Sequence, residues 1–124
     1  MIFDTNAVSA FADAGAAVLR QLRPSAGVHL PVIFPGEYRY GVKSSRQRAA
    51  REMWLDNLES SCTVHDITSE TSRVYAEIRH ELRLAGKTIP ENDLRIAALV
   101  RQRRLPLLSN DAHFDQVSCI QRLS

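Results

Sequence analysis

Two rhythms of apolar and polar positions alternate along the chain: short apolar runs, and longer stretches in which apolar residues return every three or four positions. The short runs suit strands covered on both faces, and the longer spacing suits helices that bury one side. Residues 1 to 4 read as a short strand, and "NAVSAFADAGAAVLRQLR" continues as one or two helices up to Pro24. "VHLPVIF" reads as a second strand and "PGEYRYGVKSS" as a helix with Pro35 in its first turn. "RQRAAREMWLDNLES" forms the next helix, and "CTVHDI" a third strand. From Thr68 to Gly86, Val74, Ile78 and Leu82 recur every four residues behind a Thr or Ser cap, with Gly86 as the stop. "PENDLRIAALVRQRR" puts acids in the first turn of a helix and arginines in its last, which suits the helix dipole. "LPLL" reads as a buried strand whose pairing Pro106 limits near its start, and "SCIQRL" as an edge strand.

Strands alternating with helices predict a three-layer α/β/α sandwich around a mostly parallel sheet of four or five strands. No repeat, linker or low-complexity stretch interrupts the pattern, so a single domain over residues 1–124 is expected. With 44% hydrophobic and 24% charged residues, the chain has the balance of an ordinary globular domain. It has no apolar run of about 18 residues. Asp4 and Asp13 stand where a signal peptide needs a basic start and an apolar core, so a cytoplasmic protein without a membrane segment is expected. Cys62 and Cys119 are far apart and show no metal spacing, which leaves them as buried or incidental thiols. A net charge of +2 is too small to name a nucleic-acid partner by itself.

The topology turns sequence positions into places. In a right-handed strand–helix–strand unit, strand ends and helix starts share one edge of the sheet. Asp4 ends the first strand, Glu37 lies in the first turn after the second, Asp93 begins the helix before "LPLL", and Asp111 follows that strand. All four carboxylates are therefore expected at the edge where open α/β folds bind ligands. Each also has a plainer reading. Asp4 suits a helix cap, with Thr5 and Asn6 as rivals; Glu37 suits a first-turn acid; Asp111 suits a turn. Asp93 resists one, because Ile96, Ala97 and Val100 place it on the apolar face of its helix. Gathered carboxylates repel and raise one another's pKa values unless a cation joins them. Mg²⁺ takes oxygen ligands, keeps several waters and leaves positions open for a phosphate oxygen, so metal-assisted phosphoryl hydrolysis is the expected chemistry.

"FDTNAVSAF", "PGEYRYG", "NDLRIAAL" and "LLSNDAHFDQV", in that order over almost the whole chain, resemble the four acidic motifs of the PIN domain, and most closely those of VapC-type ribonuclease toxins. The resemblance implies that Asp4 and Asp93 are the firmest metal ligands, that Glu37 and Asp111 complete the pocket directly or through water, and that Asn6 and Ser109 hydrogen-bond the acids or a bound phosphate. It further implies Mg²⁺ or Mn²⁺ dependence, RNA cleavage leaving 5′-phosphate and 3′-hydroxyl ends, a homodimer, and an antitoxin peptide lying across the active-site groove.

Lys43, Arg46, Arg48 and Arg51 follow the Glu37 helix and are candidates to track RNA phosphates, with a solvated helix face as the plainer reading. Arg101, Arg103 and Arg104 are read as dipole partners at a helix end, and His113 as an RNA contact or an exposed turn residue. Tyr38 and Tyr40 are read as packing residues rather than base stackers, and Trp54 with Leu55 and Leu58 as core or partner groove. A haloacid-dehalogenase-type phosphatase would use Asp4 as a nucleophile, but it wants a second Asp where this chain has Asn6. A response-regulator receiver lacks its acid pair here. A PIN-like module that binds RNA or a partner without cutting is the remaining alternative, and the intact acids speak against it.

Overall fold

The computed structural model describes residues 1–4 and 27–123. The helices expected between Asn6 and Arg23, and Thr5 and Asn6 themselves, lie outside the described residues. Five strands form one sheet in the order β3-β2-β1-β4-β5, and every pairing is parallel. They are β1 (Ile2–Phe3), β2 (His29–Pro31), β3 (Thr63–His65), β4 (Leu107–Leu108) and β5 (Arg122–Leu123). Between them run α1 (Ile33–Val42), α2 (Arg48–Ser61), α3 (Ser69–Leu84) and α4 (Glu91–Arg103), with a 3₁₀ helix at Ala112–Gln116.

Successive strand residues point to opposite faces, and β1 distributes its side chains accordingly. Ile2 belongs to one core with Val74, Ile78 and Leu82 of α3 and the buried face of α4. Phe3 belongs to the other, with Leu30, Phe34 of α1, and Leu55 and Leu58 of α2. In β4, Leu107 joins the first core and Leu108 packs against the second. The register matches, since Ile2 pairs with Leu107 and Phe3 with Leu108. The result is the expected α/β/α layering, with β1 at the centre of the sheet.

Local chemistry sets the boundaries. Thr68 and Thr71 form a reciprocal capping box at the start of α3. Gly86, at φ +68°, takes the left-handed conformation that follows its last turn. The strand expected over "VHLPVIF" ends at Pro31 instead; Val32 is already helical, and Ile33 and Phe34 belong to α1. An unbroken apolar run fits a buried strand or a buried helix start equally well, and here Phe34 fills the core from a helix. Pro35 sits in the first turn, where its missing N–H has no helical partner to lose. Tyr38 packs between Phe34 and Trp54, with ring centroids 5.7 and 5.4 Å away, whereas Tyr40 is exposed.

His29 and His65 lie on adjacent strands with stacked rings 4.9 Å apart, and Nδ1 of the first is 2.7 Å from Nε2 of the second. Burial holds both pKa values below the ordinary histidine value, and the Arg103 charge adds to the effect on His65. The folded state therefore binds fewer protons than the unfolded chain, so this contribution is intact above the unfolded value of about 6.5 and fades as pH falls below it. The melting temperature of the wild type is expected to drop more steeply than that of His65→Gln between about pH 7 and about pH 5. Parallel curves from thermal melts across that range would contradict this account.

Candidate metal centre

The pleat that divides the two cores also aims the acids. One residue beyond β1, Asp4 continues the alternation toward the side of α4, and Ser109 does the same beyond β4. The Asp4 N–H donates to the Leu108 carbonyl at 3.2 Å, and the Ser109 N–H to that of Leu123 at 2.9 Å, which extends the ladder past the strands. Asp4 is only 4% exposed and Ser109 1%. The Ser109 hydroxyl donates to Asp4 Oδ2 and accepts the Asp111 N–H at 2.9 Å. Asp111 in turn caps the 3₁₀ helix, its carboxylate accepting the His113 N–H at 2.9 Å.

Asp93 approaches from the first turn of α4, where the helix dipole favours a negative charge. Its pKa is nonetheless raised, first by burial and then by the charges of Asp111 and Asp4, while a hydrogen bond from His113 pulls the other way. The His113 Nδ1 lies 3.0 Å from Asp111 Oδ1 and 3.3 Å from Asp93 Oδ2. One ligand atom from each of Asp93, Asp111 and His113 falls within 4.8 Å of the other two. Two carboxylates and an imidazole at that spacing suit a divalent cation, which would relieve the repulsion that raises Asp93. Glu37 reaches the same helix end differently, its carboxylate accepting a hydrogen bond from the Asn92 amide, one residue before Asp93.

Of the residues singled out in the sequence, Asp4, Ser109, Asp93 and Asp111 thus meet in one cluster, and Glu37, in the second turn of α1 because that helix starts earlier than expected, stands beside it. Lys43 and Arg46 are exposed in the turn between α1 and α2, Arg48 pairs with Glu52 at 2.9 Å, and Arg51 is half-buried. Arg101 binds Glu81 on α3 and the Ser118 carbonyl, so it clamps helices together as well as facing a dipole. Two neighbours of the centre carried little signal. Asn92 is an unremarked polar residue in a first turn. Arg122 sits on the edge strand, where it donates to the Ser109 carbonyl at 3.1 Å and pairs with Asp115 at 2.7 Å.

A parallel α/β/α sandwich with carboxylates gathered beyond its central strands defines a protein with an acidic centre at the sheet edge. The PIN domain family model matches residues 1–118, and the chain belongs to that family. It is 31% identical over 85 residues to Ribonuclease VapC5 of Mycobacterium tuberculosis, an alignment covering 67% of this chain and 63% of that protein. It is 31% identical over 75 residues to Ribonuclease VapC2 of Rickettsia felis, covering 60% and 56% respectively. The matched region therefore spans less than two thirds of either relative. Among solved structures, VapBC2 from Rickettsia felis bound to a promoter DNA fragment superposes with a TM-score of 0.84 at 26% identity, covering 99% of this chain and 98% of the other. DNA-bound VapBC from Salmonella typhimurium gives 0.87 at 19% identity, covering 98% and 95%, which is a likeness of fold.

The raised Asp93 value has a consequence for stability. The folded state binds protons more readily there than the unfolded chain, so stability is lost as pH rises from about 3.9 through the folded value. In EDTA at neutral pH, Asp93→Asn is expected to melt above the wild type by roughly 1–4 °C, with the gap closing toward acid pH. A variant that melts lower at every pH would show that Asp93 is held by favourable contacts instead.

Proposed function

We propose that this protein is a divalent-cation-dependent endoribonuclease that hydrolyses RNA phosphodiester bonds and serves as the toxin of a toxin–antitoxin pair. The observation that carries the reading is the meeting of Asp4, Asp93 and Asp111 beyond the central strands. The family match and the ribonuclease names of its relatives support it.

Asp4 and Asp93 would hold the cation, with Glu37 and Asp111 as further ligands directly or through water; the closeness of the Asp93 and Asp111 carboxylates supports Asp111 as a direct one. Mg²⁺ and Mn²⁺ are the two ions that this reading admits. When bound, such an ion polarises a phosphate oxygen and lowers the pKa of a water. The residues supply placement: Ser109, bonded to Asp4 and to the Asp111 N–H, fixes two carboxylates relative to each other, and Asn6 is assigned a similar supporting role. Lys43, Arg46, Arg48 and Arg51 are assigned to RNA phosphates. The products carry 5′-phosphate and 3′-hydroxyl ends. The likeness to VapBC2 from Rickettsia felis supports an antitoxin partner, and the reading assigns the antitoxin peptide to the active-site groove of a cytoplasmic homodimer. Among the described residues no helix is long and apolar enough to cross a membrane.

Cleavage of total RNA, followed by end sequencing, tests the reading. Asp93→Asn and Asp4→Asn are expected to lower the rate on the order of 10²–10³-fold while keeping the wild-type circular dichroism spectrum, and EDTA to stop the wild type. Full activity in EDTA, or wild-type rates in both variants, overturns the proposal. RNA binding without cleavage in the presence of Mg²⁺ or Mn²⁺ favours a non-catalytic binding module.

A further inference from the structure

The centre contains a nitrogen that a four-acid pattern does not supply. His113 lies on the 3₁₀ helix at Ala112–Gln116, held on one side by the fully buried Phe114 and on the other by the bond from its own N–H to Asp111. Its Nδ1 is 3.0 Å from Asp111 Oδ1 and 3.3 Å from Asp93 Oδ2. Neighbouring ligands on an octahedral ion with bonds near 2.1 Å stand about 3.0 Å apart. Both spacings are therefore close to an edge of such a coordination shell, and the ligand atoms of all three residues lie within 4.8 Å of one another. Glu37 is not in this trio; its carboxylate is engaged by Asn92.

We propose that His113 ligates the cation through Nδ1, and that this nitrogen makes the centre prefer a first-row transition dication such as Mn²⁺ to Mg²⁺. The inference rests on the metal-centre reading given above. Mg²⁺ favours oxygen ligands and gives up its water reluctantly, so an imidazole adds little to its binding. Transition dications gain more from an imidazole than Mg²⁺ does, Mn²⁺ the least among them and the later metals of the row more. The other role open to the ring is a hydrogen bond from Nδ1 to the carboxylates, as the 3.3 Å contact with Asp93 Oδ2 allows. The two roles separate once metal is added, because only a ligand nitrogen is bonded to the ion.

Mn²⁺ titrated into the protein and followed by electron paramagnetic resonance separates them. A directly coordinated ¹⁴N is expected in the spin-echo modulation of the wild type and is expected to vanish in His113→Gln. Mn²⁺ affinity is expected to fall about 10-fold or more in that variant, while Mg²⁺ affinity, read by competition, changes less than about 3-fold. The side chain is 47% exposed, so the substitution leaves Phe114 and the core in place, and His113→Asn serves as a second variant with the same expectation. Bound Mn²⁺ without nitrogen coupling, or an unchanged Mn²⁺ to Mg²⁺ ratio in both variants, overturns this inference and leaves the metal centre standing. A wild type that binds no Mn²⁺ overturns both.

Discussion

The hydrogen bond from the Ser109 hydroxyl to the buried Asp4 carboxylate ties the fold to its chemistry. A carboxylate this far from water costs several kcal/mol unless donors replace its hydration. Ser109 is placed to act as such a donor because β1 and β4 are paired in register, so the residues that follow Phe3 and Leu108 stand side by side. A hydroxyl has a single proton to give. Donated to Asp4, it leaves a lone pair for the Asp111 N–H, and the backbone of the next acid is thereby positioned by the first. The central strands thus fix two members of the centre, and α4 brings the third.

Concentrating these charges works against stability. Burial and the neighbouring Asp111 and Asp4 make the ionised form of Asp93 unfavourable, and only part of this is offset within the chain. The α4 N-terminus and His113 favour the negative charge, within the range of a few tenths to about 2 kcal/mol typical of helix ends. Arg122 is close enough for its field to reach Asp111, but its guanidinium is committed to Asp115 and the Ser109 carbonyl. Among the described residues the Asp93 charge is only partly offset, and a cation beside it would relieve what remains.

Much of this arrangement was legible in the sequence because it follows from period and topology. The Val74, Ile78, Leu82 stripe and the Thr68 cap announced α3, and strand–helix alternation was enough to bring Asp4, Asp93 and Asp111 to one edge. Where pattern was ambiguous the reading slipped: "VHLPVIF" carries no period that separates a covered strand from the first turn of a buried helix, and the chain turns helical at Val32. His113 was not legible as part of the centre, because the tight curl of a short 3₁₀ helix, and not helix or strand spacing, returns its ring to Asp111. The Asn92 bridge was hidden for a related reason. It depends on the distance between α1 and α4, a tertiary quantity that neither segment encodes alone.

The position of β1 gives the centre an unusual dependence on the whole molecule. Ile2 is packed into the core beneath α3 and α4, and Phe3 into the core beneath α1 and α2, so the residue after them is located by both. Changing the volume of either core therefore moves Asp4 relative to Asp93, since close-packed interiors transmit strain rather than absorb it. Glu37 depends on the α1 side and Asp93 on the α4 side, and Asn92 spans the gap between them. Stability and site geometry are consequently hard to separate by core substitution. Substitutions at the exposed rim, His113 above all, change the donor set while leaving both cores intact, and they isolate the chemistry of the centre from the fold that carries it.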